Sequence, residues 1–267
     1  MSDERYVRQS FLGGQEAIRA CVVGIVGVGG GGSHIAQQLA HTGFSHFRIF
    51  DADTVEEVNL NRLVGAWLLD VAESTPKVLV AERVIKSVNP QADVEAHQCR
   101  WQEMPESLKQ CDLVFGCVDS FAQRRDLELC TRRYTIPYID IGMDVHCVEK
   151  EPPRMAGQVI LSMPGGPCMA CLGFLTNDKL TREASNYGDA GPRPQVVWAN
   201  GMLASAAVGI AVDLLTDWTA ALRNVVYLSY DGNLLALTPH VRLSYRQDQT
   251  CSHYSSDDVG DPLPLSI

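Results

Sequence analysis

Apolar positions along the first half of the chain switch regularly between short continuous runs and helical spacing. Residues 21–26 form a β-branched run and read as a buried strand. Six residues, Gly27-Val28-Gly29-Gly30-Gly31-Gly32, follow it. Residues 33–41 then put Ile35, Ala36, Leu39 and Ala40 on one helical face, and residues 47–50 read as a second strand ending at Asp51. Strand, turn, helix, strand is a βαβ unit. Thr75-Pro76-Lys77 opens another helix, with Thr75 expected as N-cap and Pro76 in its first turn. Val78, Ala81, Ile85 and Val88 recur at helical spacing until Asn89-Pro90 stops them. Strands are expected at 93–96, 113–118 and 138–141, and a helix at 121–134. This alternation predicts an α/β fold, a Rossmann-like, mostly parallel sheet with helices on both faces.

The second half follows a different pattern. Residues 158–163 read as a strand leading into Pro164-Gly165-Gly166-Pro167. Residues 176–194 are polar and rich in Gly, Pro, Asn and Asp, which predicts a long mobile loop. A buried helix is expected within 195–218; its most apolar part, 201–212, is too short to span a bilayer and ends at Asp213. Strands at 225–229 and 234–237 flank Tyr230-Asp231-Gly232-Asn233, and Asp-Gly is a hairpin signal, so a C-terminal antiparallel hairpin extends the sheet. Residues 257–267 read as a flexible tail.

Composition narrows the class. The chain has 267 residues, 46% of them apolar, enough for one large α/β domain or two small ones. Its formal net charge of −10 argues against a broad nucleic-acid surface. The N-terminal residues Met1-Ser2-Asp3-Glu4-Arg5 offer no apolar secretion signal. Nine scattered cysteines suit a reducing cytoplasm better than a disulfide framework, and only Cys168 and Cys171 make a close CxxC pair.

The candidate chemistry starts at the glycines. Gly27, Gly29 and Gly32 satisfy GxGxxG between a strand and a helix, where free N–H groups and the helix dipole attract phosphate. Asp51 ends the next strand, where a carboxylate can grip ribose hydroxyls. These features alone fit a nicotinamide or flavin enzyme equally well. Asp53, Asn59, Arg62 and Lys77 change the picture, because a dinucleotide has no need of an Asn/Arg pair and a lysine here. A triphosphate does, since Arg and Lys neutralise its β- and γ-phosphates. Lys77 also stands in a first helical turn, against the helix dipole, which makes sense beside an anion.

Taken in order, Arg5-Tyr6-Val7-Arg8-Gln9, the glycine loop, Asp51-x-Asp53, Asn59-x-Asn61-Arg62, Lys77, Cys117-Val118-Asp119-Ser120, Arg124 and Pro167-Cys168-x-x-Cys171 resemble the ThiF/MoeB/HesA family. That family provides the E1-like adenylation domain of ubiquitin-type activating enzymes. The resemblance runs from Arg5 to about Gly173 and resumes near Gln195. It implies a single adenylation domain over 1–267, with a nucleotide-binding half (1–142), a carrier-binding and dimerisation half (143–256) and a crossover loop at 176–194. It implies that Gly27, Gly29, Gly30 and Gly32 line ATP, and that Asp51 and Asp53 lie at the nucleotide. Asn59, Arg62 and Lys77 would bind the triphosphate and Asp119 would help hold Mg²⁺, although Asp119 also reads as an N-cap for the helix beginning at Phe121. Arg8 would enter the site of a partner subunit, so the resemblance implies a homodimer, or a heterodimer, with two composite sites. The implied reaction is adenylation of the C-terminal glycine carboxylate of a ubiquitin-like or sulfur-carrier protein.

The sequence also departs from the family pattern. Leu63 and Ser120 stand where Gln and Asn are common. The family often carries two CxxC pairs for structural zinc; here Cys168 and Cys171 remain, and the second pair is reduced to Cys251-Ser252-His253. Cys251 and His253 are the candidates to complete a four-ligand site. No cysteine lies between Leu172 and Pro194, which favours adenylation without a covalent intermediate on that loop. Adenylation of a peptide, a small molecule or a tRNA base, and a non-catalytic partner subunit, are the competing readings.

Overall fold

The computed structural model describes residues 3–147, 151–185, 194–220, 225–246, 251–255 and 259. After a 3₁₀ helix at Asp3–Leu12 come α1 (Gln15–Ala20), β1 (Val22–Val26), α2 (Gly30–Thr42) and β2 (His46–Phe50). Then follow α3 (Leu68–Ala72), α4 (Lys77–Val88), β3 (Asp93–His97), α5 (Pro105–Lys109), β4 (Leu113–Gly116) and α6 (Phe121–Arg133). The second half holds β5 (Tyr138–His146), β6 (Arg154–Ser162), α7 (Asn177–Ser185), α8 (Val197–Thr216), β7 (Val225–Asp231), β8 (Ala236–Pro239) and α9 (Leu243–Arg246).

One eight-stranded sheet has the order β3-β2-β1-β4-β5-β6-β7-β8. The first five of these strands pair in parallel, and β5-β6, β6-β7 and β7-β8 pair antiparallel. Strand alternation feeds two cores. Val23, Ile25, Phe115, Ile139 and Leu161 face one core, shared with α2, α4 and α8; Val26, Val114, Tyr138 and Ile160 face the other. Helices therefore cover both faces, as the alternating pattern predicts. The chain winds from β1 to β2 on one side and to β4 on the other, so the sheet's topological switch point lies at the C-terminal ends of β1 and β4.

Several expectations are corrected. Thr75 does not cap α4: its carbonyl accepts from Val55 N at 2.8 Å, Pro76 makes an isolated bridge to Thr54, and no side chain caps the helix. Residues 177–185 of the expected loop are helical, because Thr176 Oγ1 receives Lys179 N at 3.3 Å and no Gly or Pro interrupts them. The rest of that loop, 186–193, and the tail apart from Val259 lie outside the described residues. β5 continues past Ile141 to His146 because β6 pairs with it along its whole length. The hairpin turn falls at 232–235 rather than 230–233, where Asp231 Oδ1 receives Asn233 N and Leu234 N. α8 extends well beyond 201–212 and, at 20 residues, has the length and hydropathy of a span. It is a core helix here, with Leu203, Ala204, Ala207 and Ala211 fully buried against α2 and the sheet.

Candidate active site

The predicted nucleotide residues converge on a cavity of about 530 Å³ at the switch point. Gly27, Gly29 and Gly30 line it from the turn between β1 and α2. Two of the glycines are enforced by the backbone. Gly27 has φ +85°, and a Cβ there would lie 2.6 Å from Cys117 O. A Cβ on Gly32 would lie 1.9 Å from Gly27 O. Gly32 does not line the cavity; it lets the first turn of α2 lie against the loop, and no side chain caps that helix.

Asp51 and Asp53 follow β2 and line the same cavity. Asp51 Oδ2 receives Val28 N at 2.8 Å and its Oδ1 receives Asp53 N at 2.9 Å, so this carboxylate ties the glycine loop to the next strand. Burial pushes the Asp51 carboxyl above its usual range, while the Asp53 N–H, Lys77 and the Val28 N–H oppose the rise. Lys77 Nζ lies 2.7 Å from Asp53 Oδ2; its side chain is 12% exposed, which removes it from the class of ordinary solvated lysines.

Asn59, Arg62 and Lys77 form one wall. Asn59 is buried and its Oδ1 receives Glu56 N at 3.0 Å, which fixes the 3₁₀ turn Glu57–Asn59 that presents Arg62. Arg62 Nη1 donates to Val58 O at 2.6 Å and Asn61 Oδ1 at 2.9 Å. Asp119 also lines the cavity, beyond the end of β4. It is not the N-cap of α6: Ser120 Oγ takes that place, receiving Gln123 N at 3.0 Å.

Arg8 does not reach this cavity. It is exposed on the N-terminal 3₁₀ helix, which Gln9 anchors through Nε2 to Thr42 O at 2.6 Å. Residues the sequence reading had not assigned to the site also line it. Gln195 and Asn200 reach in from the start of α8, close beside Gly30, and Trp101 comes from the segment after β3. Their only signal in the sequence was that the resemblance resumes near Gln195. Arg124 lines the cavity from a buried pair with Asp140, and donates to Ile141 O at 3.1 Å and Val118 O at 2.5 Å. It thereby pins the end of β4 to β5.

A second constellation sits at the far end of β6. The Sγ atoms of Cys168, Cys171 and Cys251 and Nδ1 of His253 lie within 4.8 Å of one another. Cys168 and Cys171 sulfurs are 3.6 Å apart, Cys171 and Cys251 sulfurs 3.8 Å, and His253 Nδ1 is 3.3 Å from Cys171 Sγ. A tetrahedron with metal–sulfur bonds of ~2.3 Å has edges of about 3.8 Å, so the donor set fits zinc. The N–H groups of Cys171 and His253 point at Cys168 Sγ and Cys251 Sγ, at 3.4 and 3.3 Å. Burial pushes the Cys171 thiol up, but hydrogen bonds from the Cys168 backbone and His253 outweigh it and bring the thiol down to about 7.

Comparisons with known proteins identify the family and the fold. Over 179 residues the chain is 36% identical to the sulfur carrier protein adenylyltransferase of Thermus thermophilus, covering 63% of each chain. It is 29% identical over 179 residues to ubiquitin-like modifier-activating enzyme 5 of Gallus gallus, covering 61% of this chain and 43% of that one. The chain thus spans less than half the length of that relative. The crystal structure of Escherichia coli MccB with ATP shares the fold at a TM-score of 0.67 and 19% identity, over 90% of this chain and 71% of MccB. The same enzyme with MccA-N7isoASN superimposes with a TM-score of 0.73 at 18% identity, over 90% of this chain and 72% of MccB. A model of the ThiF family matches residues 4–253, and the chain belongs to that family.

Proposed function

We propose that this protein is an ATP-dependent adenylyltransferase that activates the C-terminal carboxylate of a small ubiquitin-like or sulfur-carrier protein. The observation that carries the reading is the cleft at the sheet's switch point, where a glycine turn, two acids, Arg62, Lys77 and Asp119 meet. Its relatives are named as activating enzymes of ubiquitin-like modifiers and as sulfur-carrier adenylyltransferases.

In this reading the phosphates lie at the Gly27–Gly30 turn and the N-terminus of α2, where backbone N–H groups face them. Asp51 orients the ribose. Arg62 and Lys77 neutralise the β- and γ-phosphates, and Lys77 exchanges its Asp53 partner for phosphate oxygen. Asp119 is the hard oxygen donor suited to Mg²⁺, which supplies further neutralisation of phosphate charge. A carrier carboxylate oxygen attacks the α-phosphorus; the bond to the bridging oxygen breaks and pyrophosphate leaves with that electron pair. The products are an acyl-adenylate and pyrophosphate. The nucleophile is already ionised at neutral pH, so no general base is required, and positioning with charge neutralisation carries the rate.

The reading includes a homodimer in which Arg8 acts in the partner's cleft, a zinc held by Cys168, Cys171, Cys251 and His253, and a cytoplasmic location, where thiolate ligands stay reduced. A groove of about 1410 Å³ beside the cleft leaves room for a peptide with side chains, which is the second reading.

ATP–pyrophosphate exchange with the full chain, Mg²⁺ and carriers ending in Gly-Gly tests the proposal. Exchange that requires one carrier supports it. ATP binding without exchange for any carrier overturns it, and exchange with short peptides alone selects the second reading.

A further inference from the structure

The nucleotide cleft and the neighbouring groove meet at the start of α6, sharing Asp119, Ser120, Ala122 and Arg124. A carboxylate already occupies that junction. Glu183 of α7 reaches across and receives Phe121 N on Oε1 and Ala122 N on Oε2, each at 2.9 Å. The first amides of a helix have no intrahelical partner, and they favour an anion. Ser120 caps α6 locally through Gln123 N alone, which leaves the Phe121 and Ala122 amides open to another acceptor. Glu183 is thus the same chemical group as the proposed substrate, placed where that substrate must pass to reach the nucleotide.

The element that delivers Glu183 is lightly held. No residue of α7 is buried. Among the described residues Lys179 also holds it: its Nζ donates to Phe174 O at 2.9 Å and lies 5.1 and 4.8 Å from the Phe121 and Phe174 ring centroids. An element without buried apolar contacts opens at low cost.

We propose that Glu183 is a resident stand-in for the substrate carboxylate, which keeps α7 closed over the groove until the incoming C-terminus takes over the Phe121 and Ala122 amides. The proposal rests on the carboxylate-adenylation reading. It makes α7 a competitor in cis, so apparent affinity for the carrier is reduced by the fraction of molecules in which Glu183 is docked.

Two measurements test it. Glu183→Ala should lower the carrier KM in pyrophosphate exchange by about tenfold, if the docked state dominates by a similar factor, with kcat and ATP affinity unchanged. A raised or unchanged KM overturns the proposal, because a purely structural role would loosen the groove. Independently, amide exchange at residues 121 and 122 should be slow in the wild-type protein and fast in Glu183→Ala. Adding carrier with a non-hydrolysable ATP analogue to the variant should restore protection, and the same carrier with an amidated C-terminus should not. Equal protection in both proteins, or restoration by the amidated carrier, overturns it. If wild-type protein shows no carrier-dependent exchange at all, the adenylation reading fails, and the amide pattern of the free protein still decides whether Glu183 is the latch.

Discussion

Gly32 and Asp70 show how single positions constrain the fold around the glycine loop and α3. Alanine at Gly32 would drive its Cβ to 1.9 Å from Gly27 O, a backbone atom that cannot swing aside. We expect Gly32→Ala to cost about 3 kcal/mol, the upper end for overpacking, measured as a lowered urea midpoint. Asp70 is 3% exposed, receives Trp67 N and pairs with Arg83 at 2.6 Å. The Arg83 hydrogen bond holds the Asp70 carboxyl below its usual range. Its stabilisation is therefore present above about pH 4, the unfolded value, and is lost as pH falls through the lower folded value. Asp70→Asn should lose about 1–2 kcal/mol at pH 7 and lack that part of the acid limb in denaturation curves taken from pH 7 to pH 2. Lys77 is the most informative residue for chemistry, since its helix places a cation against the dipole and its side chain is largely enclosed. Lys77→Ala should reduce pyrophosphate exchange by about 10²–10³-fold while circular dichroism stays unchanged.

At the level of elements, the sequence was legible wherever apolar periodicity and turn residues agreed. β1, α2 and β2 fall within a few residues of expectation because a buried run, a glycine turn and an amphipathic stretch follow one another without ambiguity. α7 was missed for the opposite reason. Its apolar face is only Leu180 and Ala184, too short a pattern for periodicity to carry a signal, and its composition was averaged with the Gly- and Pro-rich residues after it. What holds it is a pair of backbone amides 61 and 62 residues away, and local sequence cannot express that contact. The knuckle at Cys168 was legible from CxxC, but its closure required bringing 251–253 back over 80 residues. If this set holds zinc, it fixes the C-terminal segment onto the sheet, together with the Tyr254 hydroxyl that donates to buried Glu128 at 3.3 Å. A strong chelator should then lower Tm by about 5 °C or more, corresponding to a loss of at least ~1–2 kcal/mol. Cys251→Ser should start from the lower Tm and respond little to the chelator.

At the scale of the whole molecule, every charged or amide side chain of the proposed triphosphate site lines the chain's own cleft except Arg8. The 3₁₀ helix that carries Arg8 also exposes Val7 and Phe11, at 66% and 71%, and Phe11 packs edge-on against exposed Trp218 at 5.9 Å. Large apolar side chains held together at the surface beside a cation suit an interface. An isologous dimer would bury them and carry each Arg8 toward the partner's phosphates. This arrangement has a consequence that no cis mechanism shares. Arg8→Ala and Lys77→Ala should each inactivate the homodimer, because every site lacks one group. Unfolded together and refolded as a mixture, half of the dimers would be mixed, and each mixed dimer would have one site with its own Lys77 and the partner's Arg8. About a quarter of wild-type exchange activity should return, the statistical share for a twofold dimer. No recovery, with mixed dimers demonstrated by mass spectrometry, would place Arg8 outside the partner's cleft and leave the adenylation chemistry to each chain alone.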